Sequence, residues 1–270
     1  MTEVQAFVGI DAGTTGCTVM IFDERGKTLG HGYQEYPVIT PHPGWSEQNL
    51  DVVWKGICGS CLQATAKASL PPEAYKSIGL SSQRGTVAML DEKKEPLCNS
   101  YVWNCTRAID YQAEFEKEIS PEAHQKLTGM QLSPLWTAAK IAWFRDNKPA
   151  LFDKTRWFAN GQEYFLHKLG AEEWVTDPAS LTLNGMMDIA KFDWSDKILA
   201  MCGINRDQLP KIGIPSGVSG KLSKEAAELT GLPEGLVLCR GAGDQQCAAI
   251  GAGIIKQGMA EFTVGTSGVM

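Results

Sequence analysis

Positive charge is in short supply in this sequence: 25 lysines and arginines stand against 31 aspartates and glutamates, for a net charge of −6. A broad nucleic-acid footprint is therefore not expected. No stretch approaches the roughly eighteen uninterrupted apolar residues of a membrane span. The opening MTEVQAFVGID has no basic segment ahead of a long apolar run, so no secretory leader is expected either. Histidine is scarce, and His31, His42, His124 and His167 form no i, i+4 pair and no Ser-His-Asp grouping; they read as surface or packing residues. Two familiar nucleotide loops are missing as well. GxxxxGK[ST] does not occur, GVSGK at Gly217–Lys221 has the wrong spacing, and no GxGxxG follows a strand.

Cysteine is present, with eight residues, but scattered through apolar segments. That distribution fits reduced, buried thiols in a cytoplasmic protein better than a disulfide framework. Cys58 and Cys61 spell C-x-x-C, yet they fall inside a helical pattern with no second pair to complete a zinc site.

The chain opens as strand, turn, strand: Ala6–Asp11, then AGTTG, then Cys17–Asp23. A third strand is expected in TLGHGYQEY and a loop in Pro41–Trp45. Leu50, Val53, Trp54, Ile57 and Cys61 recur at helical spacing and predict one buried helix face. YKSIGLSSQ, TVAMLD and Asn99–Trp103 read as strands, and the pattern turns helical from Arg107 to about Asn147. KEAAELTGL is a short helix stopped by Gly231, and GLVLCRGAGDQQCAAIGAGI reads as strand, glycine turn, helix. Strands interleaved with helices predict an α/β protein.

Three stretches carry candidate chemistry. In Asp11–Gly16, DAGTTG, a carboxylate at a strand end precedes a glycine turn with two hydroxyls, a set able to hold a magnesium–phosphate group. The same residues also suit a plain hairpin turn. In GAGDQQ, Asp244 stands where a strand gives way to a helix, placed either as a general base for a substrate hydroxyl or as an N-cap. GTSG at Gly265–Gly268 echoes GTTG at Gly13–Gly16, and two such turns could grip one polyphosphate from both sides. Trp103, after a strand and before polar residues, could line a sugar pocket.

Seven motifs stand in order: GIDAGTTGCTVMIFD, PGWSEQNLDVVW, IGLSSQRGTVAMLD, VWNCTRA, VTDPASLTLNGMMD, GAGDQQCAAIGAGI and VGTSG. On these the chain resembles the FGGY family of carbohydrate kinases, between its glycerol kinase-like and xylulokinase-like branches. The resemblance implies a ribonuclease-H-like domain of the actin and sugar-kinase superfamily, with a mixed central sheet flanked by helices. It implies transfer of the γ-phosphate of ATP, with Mg²⁺, to a hydroxyl of a small sugar or polyol. Carried over by position, Asp244 is the general base, and Gln83, Arg84, Trp103 and Gln245 contact the substrate. Gly13, Thr14, Thr15, Gly265 and Thr266 line the phosphates, and Asp11 sits by the metal.

The glycerol kinase-like branch carries an acidic residue after the arginine, where this chain has Gly85, and a tyrosine where it has Leu135. The xylulokinase-like branch usually has an aspartate at the position of Cys105, and its QMHG is absent. These departures predict an acceptor larger than glycerol or differently hydroxylated. Residues 1–254 are expected to form the sugar-binding domain and 255–270 the first hairpin of a nucleotide-binding domain. Relatives are about twice as long, so the isolated 270-residue chain is expected to be a poor kinase that retains sugar affinity. The alternative is a non-catalytic sugar-binding or regulatory fragment of the same fold. A homodimer is the expected assembly, with no nucleic-acid or membrane partner.

Overall fold

Alternation along the first strand, β1 (Ala6–Ala12), buries Ala6, Val8, Ile10 and Ala12 on one side and leaves Phe7 and Asp11 on the other. The computed structural model describes residues 4–264 and 268–269. β2 (Gly16–Asp23) repeats the pattern with Cys17, Val19 and Ile21 inward, and β3 (Thr28–Glu35) completes an antiparallel meander. The β1–β2 turn closes with a hydrogen bond from Gly13 N to Gly16 O, and the Tyr36 hydroxyl lies 2.8 and 2.9 Å from the Gly13 and Gly16 carbonyls. A Cβ on Gly16 would meet the Tyr33 hydroxyl at 2.7 Å, so a larger residue there would have to displace that exposed side chain.

α1 (Leu50–Ala68) buries Leu50, Val53, Trp54, Ile57 and Cys61, the face its spacing predicts. The Asn49 side chain caps it by accepting from the amides of Asp51 and Val52. The helix lies directly on β3, where a Cβ on Gly30 would collide with the Ala64 carbonyl and one on Gly32 with the Ser60 carbonyl. After α1 the chain re-enters the sheet as β4 (Tyr75–Ser82), parallel to β1. Farther on, β5 (Val218–Lys221) and β6 (Val237–Gly243) complete a six-stranded sheet in the order β5-β6-β4-β1-β2-β3, with β6 also parallel to β4. Such a mixed sheet with flanking helices matches the expected architecture.

Two apolar clusters support this frame. One joins the sheet to α1, to α3 (Gly161–Leu169) and to α4 (Lys224–Thr230) through residues such as Ile10, Ile57, Leu80, Leu166 and Leu238. The other surrounds α2 (Thr137–Asn147) with Met89, Tyr101, Phe158, Trp194 and Ile198. The stretch read as helical from Arg107 resolves into Tyr111–Glu118, Pro121–Thr128 and α2, while the strand expected over Asn99–Trp103 is only Ser100–Tyr101. α5 (Asp244–Gly251) follows β6 without a break. Thr263–Val264 and Gly268–Val269 pair as the hairpin expected near the C-terminus; its turn, with Gly265 and Thr266, lies outside the described residues. No helix among the described residues is long and apolar enough to cross a membrane.

The close fit of α1 on β3 makes Gly32→Ala an overpacking change. It should destabilise the chain by about 1–3 kcal/mol or more, read from the urea midpoint, whereas Gly235→Ala, with no neighbour within 4 Å, loses only what its positive φ of 81° costs. Glu163 in α3 supplies a second prediction. It accepts from the Asn160 amide at 2.6 Å, and burial pushes its carboxyl up from 4.5 to about 7. Between those two values the folded chain holds a proton that the unfolded chain has released, so this group's contribution to stability falls as pH rises. Denaturation of Glu163→Gln and the parent at about pH 5 and about pH 8 should show the variant gaining on the parent at the higher pH.

Candidate functional site

Parallel pairing sets the site. Asp11 in β1 lies in register with Ser81 in β4, and Ser82 with Gly243 in β6, so three strands end side by side at their carboxyl ends. From those ends emerge the glycine turn of Gly13–Gly16, the segment Gln83–Arg84, and Asp244 at the start of α5. Open α/β sheets place ligand sites at such edges.

Asp244 is the first residue of α5, with Gly243 at the N-cap position, so the N-cap reading of Asp244 does not hold. Its Oδ1 accepts from the neighbouring Gln245 amide at 2.8 Å and from Arg84 Nε at 3.2 Å. Oδ2 receives no hydrogen bond among the described residues, and the side chain keeps 30% of its surface exposed. Arg84 is held at its other end by Thr182, whose hydroxyl accepts from Nη1 at 2.8 Å.

Asp11 is open to solvent on one side. Packing on its other side raises its carboxyl above the usual carboxylate range, the Asp244 charge adds to the shift, and the nearby Ser81 hydroxyl opposes it. The strand face below Asp11 forms a trough of about 440 Å³ lined by Gly9, Thr18, Met20, Phe22, Ser81 and Cys247.

The predicted phosphate and substrate residues meet in a hydrogen-bonded circuit. The Thr14 hydroxyl donates to Gln83 Oε1 at 2.8 Å and accepts from Trp103 Nε1 at 3.1 Å. Gln83 Nε2 donates to Gln48 Oε1 at 2.6 Å, and Gln48 Nε2 returns to the Thr14 carbonyl at 2.5 Å. Trp103 remains 38% exposed. Thr15 is exposed and uses its carbonyl to accept from the Tyr36 amide. Among the described residues, Gln245 Oε1 and Gln246 Oε1 are buried acceptors without donors. Gly265 and Thr266, the other predicted phosphate residues, are outside the described residues.

Sequence reasoning missed Gln48 and Thr182. Both lie inside the quoted motifs PGWSEQNLDVVW and VTDPASLTLNGMMD, but nothing local distinguishes them from their neighbours. Their partners are 34 or more positions away.

The departures from both branches have structural counterparts. Gly85 has φ +69°, and a Cβ there would meet the Leu183 Cβ at 3.0 Å and the Trp103 Cβ at 3.3 Å. An acidic side chain at that position would be strained and without room. Cys105 is buried, its sulfur accepting from Arg107 Nε at 3.0 Å. Arg107 in turn pairs with Glu47 at 2.6 Å and lies 3.4 Å from the Tyr101 ring centre, which holds the segment carrying Trp103.

Among the described residues, no three His, Cys, Asp or Glu side chains gather into a metal cage. Asp11 and Asp244 instead offer two carboxylates beside unpaired polar oxygens, which fits a magnesium ion shared with phosphates and waters.

Comparison with known proteins agrees with this geometry. The model of the FGGY family of carbohydrate kinases, N-terminal domain, matches residues 6–251. A glycerol kinase of Thermococcus onnurineus is 30% identical over 263 residues, covering 96% of this chain and 52% of its own length. A xylulose kinase of Klebsiella pneumoniae is also 30% identical over 263 residues, covering 97% and 53%. The crystal structure of Plasmodium falciparum glycerol kinase with ADP superposes with a TM-score of 0.88 at 25% identity, covering 97% of this chain and 53% of that one. The chain thus spans about half the length of these relatives, and its fold is the ribonuclease-H-like fold of the sugar kinases. With the family model matched from β1 through α5, this chain belongs to the FGGY family of carbohydrate kinases.

Proposed function

We propose that this chain forms the acceptor-binding part of a kinase that phosphorylates a hydroxyl of a sugar or polyol, with Asp244 as general base. The observation that carries the reading is the Arg84–Asp244 pair at the edge of the sheet: one carboxylate oxygen is fixed by Arg84 and the Gln245 amide, and the other receives no hydrogen bond among the described residues. A base of that kind must be oriented without being consumed by its orienting bonds. The acceptor hydroxyl gives its proton to Asp244 as its oxygen bonds to the γ-phosphorus, and the bond to the ADP oxygen breaks. Phosphoryl transfer otherwise asks mainly for positioning and neutralised charge.

Magnesium, when bound with ATP, supplies neutralisation of the phosphate charge. Asp11 would hold it, because burial and the Asp244 charge raise its proton affinity and a cation beside it would relieve that repulsion. Thr14, Thr15 and the glycines of the turn would face the phosphates, the role that the sequence motif also gives to Gly265 and Thr266. Gln83, Arg84, Trp103 and Gln245 would face the acceptor. Buried unpaired oxygens on Gln245 and Gln246 call for donors, and hydroxyls of a polyhydric substrate are donors of that kind. The wall of Gly85, Leu183 and Trp103 favours an acceptor presenting carbon rather than a further hydroxyl on that side.

The test is phosphoryl transfer from magnesium-ATP to glycerol, erythritol, D-xylulose and D-gluconate, with calorimetric binding of the same acceptors. Asp244→Asn is expected to lower turnover by about 10²-fold or more while acceptor affinity stays within a few-fold. Retention of most of the parental turnover would remove Asp244 from the role of base. Where this chain alone turns over no acceptor, loss of acceptor binding in Arg84→Ala reports on the same site.

A further inference from the structure

Lys140 has no exposed surface and, among the described residues, no carboxylate partner. It sits in the first turn of α2, and its Nζ donates to three backbone carbonyls: Gly85 at 2.9 Å, Val102 at 2.8 Å and Trp103 at 3.1 Å. An ammonium has three protons to give and no acceptor, so all its hydrogen-bonding capacity goes to these three oxygens.

Those oxygens belong to two segments far apart in sequence. One follows Gln83 and Arg84 out of β4, and the other carries Trp103. The segments approach closely at Gly85, where the Trp103 Cβ lies within 3.3 Å of a built Cβ. The start of α2 is itself anchored beside them, Thr137 Oγ1 lying 3.5 Å from the Thr86 carbonyl and Ala138 N donating to Asn184 O at 3.0 Å.

We propose that Lys140 is a positioning residue of the acceptor site: from beneath, its ammonium ties the Arg84–Gly85 segment to the Val102–Trp103 segment and so sets the separation of guanidinium and indole. The proposal rests on the acceptor-site reading for its functional part. Its structural part stands on the three bonds alone.

A methionine or leucine would fill the same volume in this apolar cluster, which otherwise holds Val87, Ala138 and Ile141 around the helix. Burying a charge there is unfavourable unless every proton is matched. Burial pushes the amine down to about 7, and the titratable groups acting on it are Cys105, which favours the proton, and Arg107, which disfavours it. A cation kept in such surroundings does something that an apolar side chain cannot. The two stretches are bridged by reciprocal Val87–Tyr101 backbone bonds of 3.0 Å, and Lys140 carries the connection on to Gly85 and Trp103, past the residues that this bridge pairs. Trp103 is fixed at two points, its carbonyl by Lys140 and its indole by Thr14.

The test uses the 270-residue chain labelled with 5-fluorotryptophan, the Trp103 resonance being assigned by its loss in Trp103→Phe. In Lys140→Met the Trp103 signal should move or broaden, while that of Trp54, in the other cluster, stays in place. Affinity for D-xylulose and glycerol, used as probes, should weaken by about tenfold. Ile141→Val, a neighbouring core change, should lower the melting temperature without moving the Trp103 signal. Lys140→Gln, which keeps two donors, should fall between parent and Lys140→Met.

An unmoved Trp103 resonance in folded Lys140→Met overturns the proposal. So does failure of both Lys140 variants to fold where Ile141→Val folds, since that outcome makes Lys140 a core residue only. A moved resonance in a chain that binds neither probe leaves the tie between the segments standing and counts against the acceptor-site reading instead.

Discussion

Parallel strands all deliver their carboxyl ends to the same edge, and in this chain β4 is paired in parallel on both sides, with β1 and with β6. Residues from three distant stretches, at positions 11–16, 83–84 and 244–246, therefore meet without any loop having to reach. The pairing is maintained by burial on the inward face, where Val8, Ile10, Ile78, Leu80 and Leu238 pack against α1 and α3. A one-residue slip between β1 and β4 would turn Ile10 outward and Asp11 into the core. Hydrophobic register and the position of the carboxylates are thus one constraint.

Around that edge the chain uses few ion pairs and many partnered amides. Arg84 is pinned at both ends, Gln48 and Gln83 bond to each other, and Lys140 addresses backbone alone. Such groups have little freedom to reorient, so the site is arranged before any ligand arrives. Charged bonding is concentrated one step away, where Arg107, stacked on Tyr101 and paired with Glu47, also donates to the Cys105 sulfur.

Much of the frame was legible in the sequence because it depends on local chemistry. Glycine at Gly13 and Gly16 marks a turn, alternation in Ala6–Asp11 marks a half-buried strand, and the spacing of Leu50, Val53, Trp54, Ile57 and Cys61 marks a helix face. The candidate residues Asp11, Thr14, Gln83, Arg84, Trp103 and Asp244 were named from motifs, and the structure gathers them. What stayed hidden depends on partners remote in the chain. A lysine in TAAKIAWF carries no sign that it will be sealed beneath two loops, and α2 shows no apolar stripe because both its faces are buried. The cap reading of Asp244 failed by one position, since Gly243 takes the N-cap and Asp244 is the first residue of the helix.

The hydroxyl of Thr14 has a single proton, and in this structure that proton is committed to Gln83 while the oxygen's lone pairs face Trp103. An anion claiming that proton would leave Gln83 Oε1 without its donor, and Gln83 is tied through Gln48 to the carbonyl of Thr14 itself. Occupancy at the glycine turn and the pose of the indole are therefore not independent variables. One small alcohol group thus links the glycine turn to Gln83 and to the Trp103 indole, a connection that a glycine or alanine in the same turn could not make.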